Sequence, residues 1–209
     1  MLGYQTLRLL DDAAHNPQLS ESIGIYLDLR HMIADSSQAG RMAFQTRFSN
    51  YYGLQYAGLT DEWKARYFEL LFGFDQVRDV EPYQFLLLEL YNIPRRQGDP
   101  TLQFSFVSKL VAFHDENCPL WDSKVRDFFG LGPPNFGCPE FRIAGFVENL
   151  GEITRRYATW TQDRRFADIL ANLRSRHPGI AFCHPARLCD FLVHNARLSP
   201  GAATAKRSP

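Results

Sequence analysis

The sequence predicts an all-α fold: a compact multi-helix domain, or two helical subdomains flanking a cleft. Three observations predict it. Apolar residues recur at helical spacing through most of the chain, runs of β-branched residues alternating with polar ones are missing, and several segments open on residues that cap helices. Helices are expected near residues 5–14, 20–34, 38–50, 60–72, 81–92, 102–114, 122–129, 139–158, 163–176 and 185–197.

Local punctuation supports the boundaries. Thr60-Asp61-Glu62 sets a capping side chain before the run from Trp63 to Leu71, and Pro82 suits a first helical turn, where an N–H has no partner to lose. Breaks fall at 92–100, where Pro94, Gly98 and Pro100 crowd together, and at 130–139, GLGPPNFGCP, the best candidate for a hinge or subdomain edge. One domain is expected over residues 1–198, and the small, polar, lightly basic stretch 199–209 is expected to be a disordered tail. No internal repeat is evident.

A chain of 209 residues can bury a substantial core without staples. With 17 Phe and 9 Tyr against 3 Trp, phenylalanine should dominate that core. The 23 basic and 23 acidic side chains cancel, so any nucleic-acid binding must come from a local basic face rather than from the field of the whole molecule. Cys118, Cys138, Cys183 and Cys189 show no CxxC spacing, and the N-terminus lacks a basic stretch followed by an apolar run of signal-peptide length. The longest purely apolar runs, such as Phe85 to Leu88, fall far short of the roughly 20 residues that span a bilayer. A reducing cytoplasm and no membrane association are the expectation.

The most informative segment is FSFVSKLVAF, residues 104–113. On a helix, Phe104, Val107, Leu110 and Val111 share one face, and Phe106 and Phe113 cover much of the opposite one, so the helix should be buried nearly all round. Lys109 is its only charge and has no polar stripe to join. A buried ammonium without a partner costs several kcal/mol, so such a lysine either extends its head to water or is pushed towards a neutral, nucleophilic amine. Thirteen residues on, after a loop with Pro119, Asp122 or Ser123 starts a new helix in WDSKVRDFFG. A short connection brings Asp122 back towards the first helix. It can also serve simply as an N-cap, and as the partner of Arg126 four residues later.

Ser108-Lys109, then a proline loop, then Pro119-Leu120-Trp121-Asp122-Ser123-Lys124-Val125, resembles the centre of the helix-hairpin-helix DNA glycosylases, in particular the 8-oxoguanine DNA glycosylase branch. There a Gly-Val-Gly-Thr-Lys hairpin presents the lysine nucleophile, and Pro-Val-Asp-x-x-Val supplies an essential aspartate. The resemblance covers roughly 25 of the 209 residues. Residues 47–71, RFSNYYGLQYAGLTDEWKARYFELL, resemble a segment of bacterial proteins with this centre. The chain departs from the family where Ser105-Phe106-Val107 replaces the glycine-bearing hairpin that grips a phosphate. Its lysine-to-aspartate interval is shorter, and Arg126 stands one place before the arginine that often follows the family's aspartate.

The resemblance implies a glycosylase that flips a damaged or modified base from double-stranded DNA, with Lys109 as nucleophile, Asp122 as stabilising carboxylate and an associated β-lyase step. It implies a monomer, with no cofactor and no metal. Phe104, Ser108, Phe113, His114 and Trp121 become candidate substrate-binding residues, the aromatic ones as stacking walls or as ordinary core. Ser105, Lys124, Arg126, Arg155, Arg156, Arg164 and Arg165 become candidate DNA-backbone residues. Together with Arg174 and Arg176, the last four form an arginine-rich stretch that equally suits a solvated helix face, and Arg41 and Arg47 are a weaker second patch. Cys183, His184, Cys189 and His194 fall within twelve residues, but their intervals fit no usual zinc finger. The alternative to an enzyme is a non-catalytic helical DNA-binding or protein-interaction module.

Overall fold

Burial of apolar side chains at helical spacing folds the chain into ten α-helices among the described residues, joined by three short 3-10 turns. In a computed structural model, the described residues are 2–76, 81–96 and 100–196. The helices are α1 (Tyr4–Ala14), α2 (Pro17–Met32), α3 (Gln38–Tyr52), α4 (Asp61–Phe72), α5 (Pro82–Tyr91), α6 (Phe104–His114), α7 (Ser123–Phe129), α8 (Pro139–Thr161), α9 (Arg164–Arg176) and α10 (Pro185–Asn195). No strand occurs among these residues; Leu59 and Arg95 form one isolated antiparallel bridge. The all-α class expected from the sequence is the observed one. The expected tail, 199–209, lies outside the described residues.

Capping chemistry sets several boundaries. Thr60 Oγ1 accepts from the Trp63 amide at 3.2 Å, Asp122 Oδ1 from the Val125 amide at 2.9 Å, and Asp163 Oδ1 from the Arg165 amide at 3.1 Å, so all three residues precede their helices. α2 starts at Pro17, three residues earlier than expected, because Asn16 Oδ1 accepts from the Gln18 amide and Pro17 takes the first turn. α3 ends at Gly53, whose left-handed φ of 76° suits glycine and turns the chain away from the helix axis.

One contiguous apolar cluster runs through the molecule from Leu2 to Val193. α6 lies at its centre, with every residue from Phe106 to Phe113 buried. On one side the Phe113 ring meets Tyr26, Phe44 and Phe48 at 6.3, 5.6 and 5.7 Å, and the Tyr67 hydroxyl donates to the Phe106 carbonyl at 3.0 Å. On the other, Phe104 stacks on Phe146 of α8 at 4.7 Å. α10 is the second buried helix, apolar except for Arg187 and Asp190 along its run from Ala186 to Val193, and packed against α1, α2, α7 and α8.

Leu110 is fully buried at the middle of α6. Leu110→Ala should cost about 3 kcal/mol of stability, read as a lower urea midpoint at unchanged slope. A loss below about 1 kcal/mol would show that α6 is not packed on all sides.

Candidate active site

A cavity of about 230 Å³ opens where the end of α3, the middle of α6, the start of α7 and the inner face of α10 converge. Tyr51, Tyr52, Lys109, Asp122, Arg187 and His194 are among the residues that line it. Lys109 and Asp122, thirteen residues apart in sequence, therefore share one wall-to-wall space.

The lysine reaches that space because α6 is enclosed on its other sides. Its side chain is 9% exposed, its Nζ donates to the Tyr52 carbonyl at 3.3 Å, and it lies 5.2 and 5.6 Å from the centroids of Phe106 and Tyr52. Burial pushes the amine below the ordinary lysine range, and the negative charge of Asp122 only partly opposes the shift. Lys109 and Asp122 do not form a direct ion pair, so the two groups act on each other across the cavity.

Asp122 is held at both oxygens. Oδ1 accepts from the Val125 amide in its capping role, and Oδ2 lies 3.2 Å from His194 Nδ1. Burial alone would raise its pKa. The His194 hydrogen bond, the Val125 amide and the Lys109 charge outweigh that and bring it down to about 2. Asp122 is thus a carboxylate throughout the neutral range.

Two sets of bonds fix Asp122 relative to Lys109. Ser108, adjacent to the lysine, accepts from the Trp121 amide at 2.9 Å through its Oγ. Farther along the connection, Asp190 accepts from the Leu120 amide at 3.1 and 3.3 Å with its two oxygens, and from the Tyr157 hydroxyl at 2.9 Å. Arg187 donates to Asp190 at 2.6 Å and to the carbonyls of Ala112 and Cys118 at 2.6 and 3.4 Å. Both side chains are almost completely buried, Arg187 at 2% and Asp190 at 1% exposure. The pair ties α10 to the end of α6 and to the segment that delivers Asp122.

The other expected site residues divide differently. Phe104, Phe113 and Trp121 do not line the cavity; they pack in the core, Trp121 edge-on to Phe146 at 5.8 Å. His114 donates from Nε2 to the Leu71 carbonyl at 2.8 Å and stacks on Phe74. Ser108 serves the connection rather than the cavity surface. Tyr26, Tyr51, Tyr52 and Phe191 supply the aromatic lining instead. The Tyr52 hydroxyl has no hydrogen-bond partner among the described residues, and the nearby Arg187 and Asp190 act on it electrostatically.

Of the residues expected at the DNA backbone, Lys124 is the one joined to the cavity wall: its Nζ lies 3.3 Å from His194 Nε2. Ser105 sits inside the first turn of α6, where its carbonyl accepts from Ser108, so the backbone there is helical and not a glycine-bearing hairpin. The Arg126 guanidinium lies over the Trp121 ring. Arg155 and Arg156 both pair with Glu152, at 2.8 and 2.7 Å, and Arg165 pairs with Asp163 at 2.8 Å. Arg164 is exposed at the start of α9. None of these arginines lines the cavity, and local acids offset much of the basic stretch. Arg47 pairs with Asp28, and Arg41 lies over the Phe72 ring. Cys189 is buried, whereas His194 faces Asp122, so the cysteine–histidine cluster does not converge on one point.

Breaking one side of a buried ion pair leaves the other charge uncompensated. Asp190→Asn and Arg187→Met should each cost about 3 kcal/mol, whereas the double variant Arg187→Met/Asp190→Leu should be less destabilised than the sum of its parts, as denaturant midpoints would report. Additive losses would show that the two side chains act separately. No family model, curated protein or solved structure matches the chain.

Proposed function

We propose that the protein is a lysine-dependent DNA glycosylase that removes a damaged or modified base, with Lys109 as nucleophile and Asp122 as the stabilising carboxylate. The observation that carries this reading is the shared cavity: a buried amine with depressed basicity faces a carboxylate that stays charged. Such a pair suits attack on an electron-poor sugar carbon better than proton exchange with solvent, because burial makes the amine easier to deprotonate than an exposed lysine and the carboxylate is held at both oxygens.

The reaction needs no reactant besides water. With the base extruded into the cavity, the bond from C1′ to the base nitrogen breaks and its electron pair departs with the base, which takes up a proton. Lys109 Nζ forms a bond to C1′ and releases a proton, while Asp122 stabilises the positive charge on the sugar. Opening of the sugar ring, with a proton delivered to its oxygen, gives a protonated imine. Water hydrolyses that imine to the abasic sugar and regenerates the amine. Alternatively, loss of a C2′ proton expels the 3′ phosphate and nicks the strand, the β-lyase outcome.

Features of the cavity fit a nucleobase. About 230 Å³ lies below the range of drug-sized pockets and suits one small planar group. Tyr26, Tyr51, Tyr52 and Phe191 provide aromatic surface, and the Tyr52 hydroxyl, which lies in the field of Arg187 and Asp190, adds a polar group. Extrusion from the duplex presents a base in this form.

The test is a panel of duplexes, each with one lesion or modified base, incubated with the protein and treated with borohydride. At least one duplex should be trapped covalently and give abasic sites or nicks. Lys109→Gln should abolish trapping and excision while remaining folded, and Asp122→Asn should lower excision roughly a hundredfold or more. Full excision by Lys109→Gln would remove the lysine from the chemistry and with it this function.

A further inference from the structure

His194 occupies the last turn of α10 and lines both the cavity and a shallower groove beyond it, bordered by Asn16, Gln18, Lys124 and Asp127. Its ring stands between two charged groups of opposite sign. Nδ1 lies 3.2 Å from Asp122 Oδ2; a carboxylate only accepts, so Nδ1 carries the hydrogen. Lys124 Nζ lies 3.3 Å from Nε2 and 3.3 Å from the His194 carbonyl; an ammonium only donates, so Nε2 offers its lone pair. The two neighbours together assign the ring's orientation.

We propose that His194 is a positioning residue for Asp122: its Nδ1–H holds the second carboxylate oxygen towards the cavity, and Lys124 braces the ring from outside. The reason lies in how the carboxylate is anchored. Val125 fixes only Oδ1, and a carboxylate held at one oxygen can swing about that bond. The second anchor removes this freedom and favours the charged form of Asp122. The charged groups around the ring are Asp122, Lys124 and Asp127 from the α7 side, Lys109 across the cavity from α6, and Arg187 and Asp190 farther back on α10. The α1–α2 connection and the start of α2 contribute only the uncharged Asn16 and Gln18. Among these, His194 is the side chain that reaches Asp122 directly. The catalytic consequence rests on the glycosylase reading; the positioning itself does not.

Two near-isosteric amides separate the roles of the two ring nitrogens. Asparagine places its donor near the position of Nδ1, whereas glutamine places it near Nε2. The Asp122 carboxyl is followed by NMR titration in the wild type, His194→Ala, His194→Gln and His194→Asn, with thermal midpoints measured alongside. The Asp122 midpoint should rise by about one pH unit in the Ala and Gln variants and return most of the way in the Asn variant. On a lesion duplex that the wild type processes, the borohydride-trapping rate should fall roughly tenfold in the first two and recover in Asn, at unchanged affinity for DNA.

An unmoved Asp122 midpoint in folded Gln or Ala variants overturns the proposal whatever the enzyme does. A moved midpoint with a wild-type trapping rate overturns the catalytic consequence. A moved midpoint in a protein that traps no duplex at all upholds the positioning and sinks the glycosylase reading instead. Should the Ala variant fail to fold, the contrast between Gln and Asn decides the matter.

Discussion

The buried pair of Arg187 and Asp190 governs the geometry on which the cavity depends. Its two side chains bind the carbonyls of Ala112 and Cys118 and the amide of Leu120, so one ionic couple on α10 holds the end of α6 and the connection to α7 together. Desolvating two charges is expensive, and hydrophobic replacements of the same volume often serve stability as well. What apolar side chains cannot supply is directional bonds to three main-chain groups. The course of the chain from His114 to Asp122, and hence the place of the carboxylate opposite Lys109, follows from those bonds. The Ser108 bridge to Trp121 adds a second fixed point beside the lysine itself.

The amine is the second unusual feature of the core. A lysine at position 109 is costly for α6, because its head is neither in bulk water nor in a direct ion pair. Sites of this kind are where perturbed groups cluster when they serve chemistry, and their cost is offset by packing elsewhere. Here the aromatic cluster of Phe44, Phe48, Tyr67 and Phe113 provides that packing around α6. Tyr52 links the two features: its carbonyl accepts from the lysine, and its hydroxyl lies within the field of Arg187 and Asp190.

Much of the helical layout was legible because it depends on local chemistry. Thr60 and Pro82 mark helix starts through backbone requirements that operate within one turn. Asn16-Pro17 is a signal of the same kind, and the expected start of α2 at residue 20 overlooks it. The cavity was legible only in part. Lys109 and Asp122 stand out as a charge in an apolar helix and a carboxylate just beyond a short loop, but the walls come from α3 and α10, far away in sequence. Aromatic residues near Lys109 in sequence project around the axis of α6 and go to the core. The stretch ARLCDFLVHN invites attention to its cysteine and histidine, whereas its physical signal is Arg187 and Asp190 at i, i+3 spacing on an otherwise apolar helix. The arginine-rich stretch looks basic until Glu152, three and four residues before Arg155 and Arg156, is counted with it.

Burial holds Lys109 as a weakened base opposite a charged Asp122. The chain has only four lysines, so an NMR titration of side-chain Cε signals, assigned with Lys109→Gln, reads that amine directly. Lys109 should lose its proton at a lower pH than an exposed lysine does, and Asp122→Asn should lower that pH further by removing the opposing negative charge. A Lys109 signal that titrates in the ordinary lysine range and ignores the loss of Asp122 would show that burial does not weaken this amine.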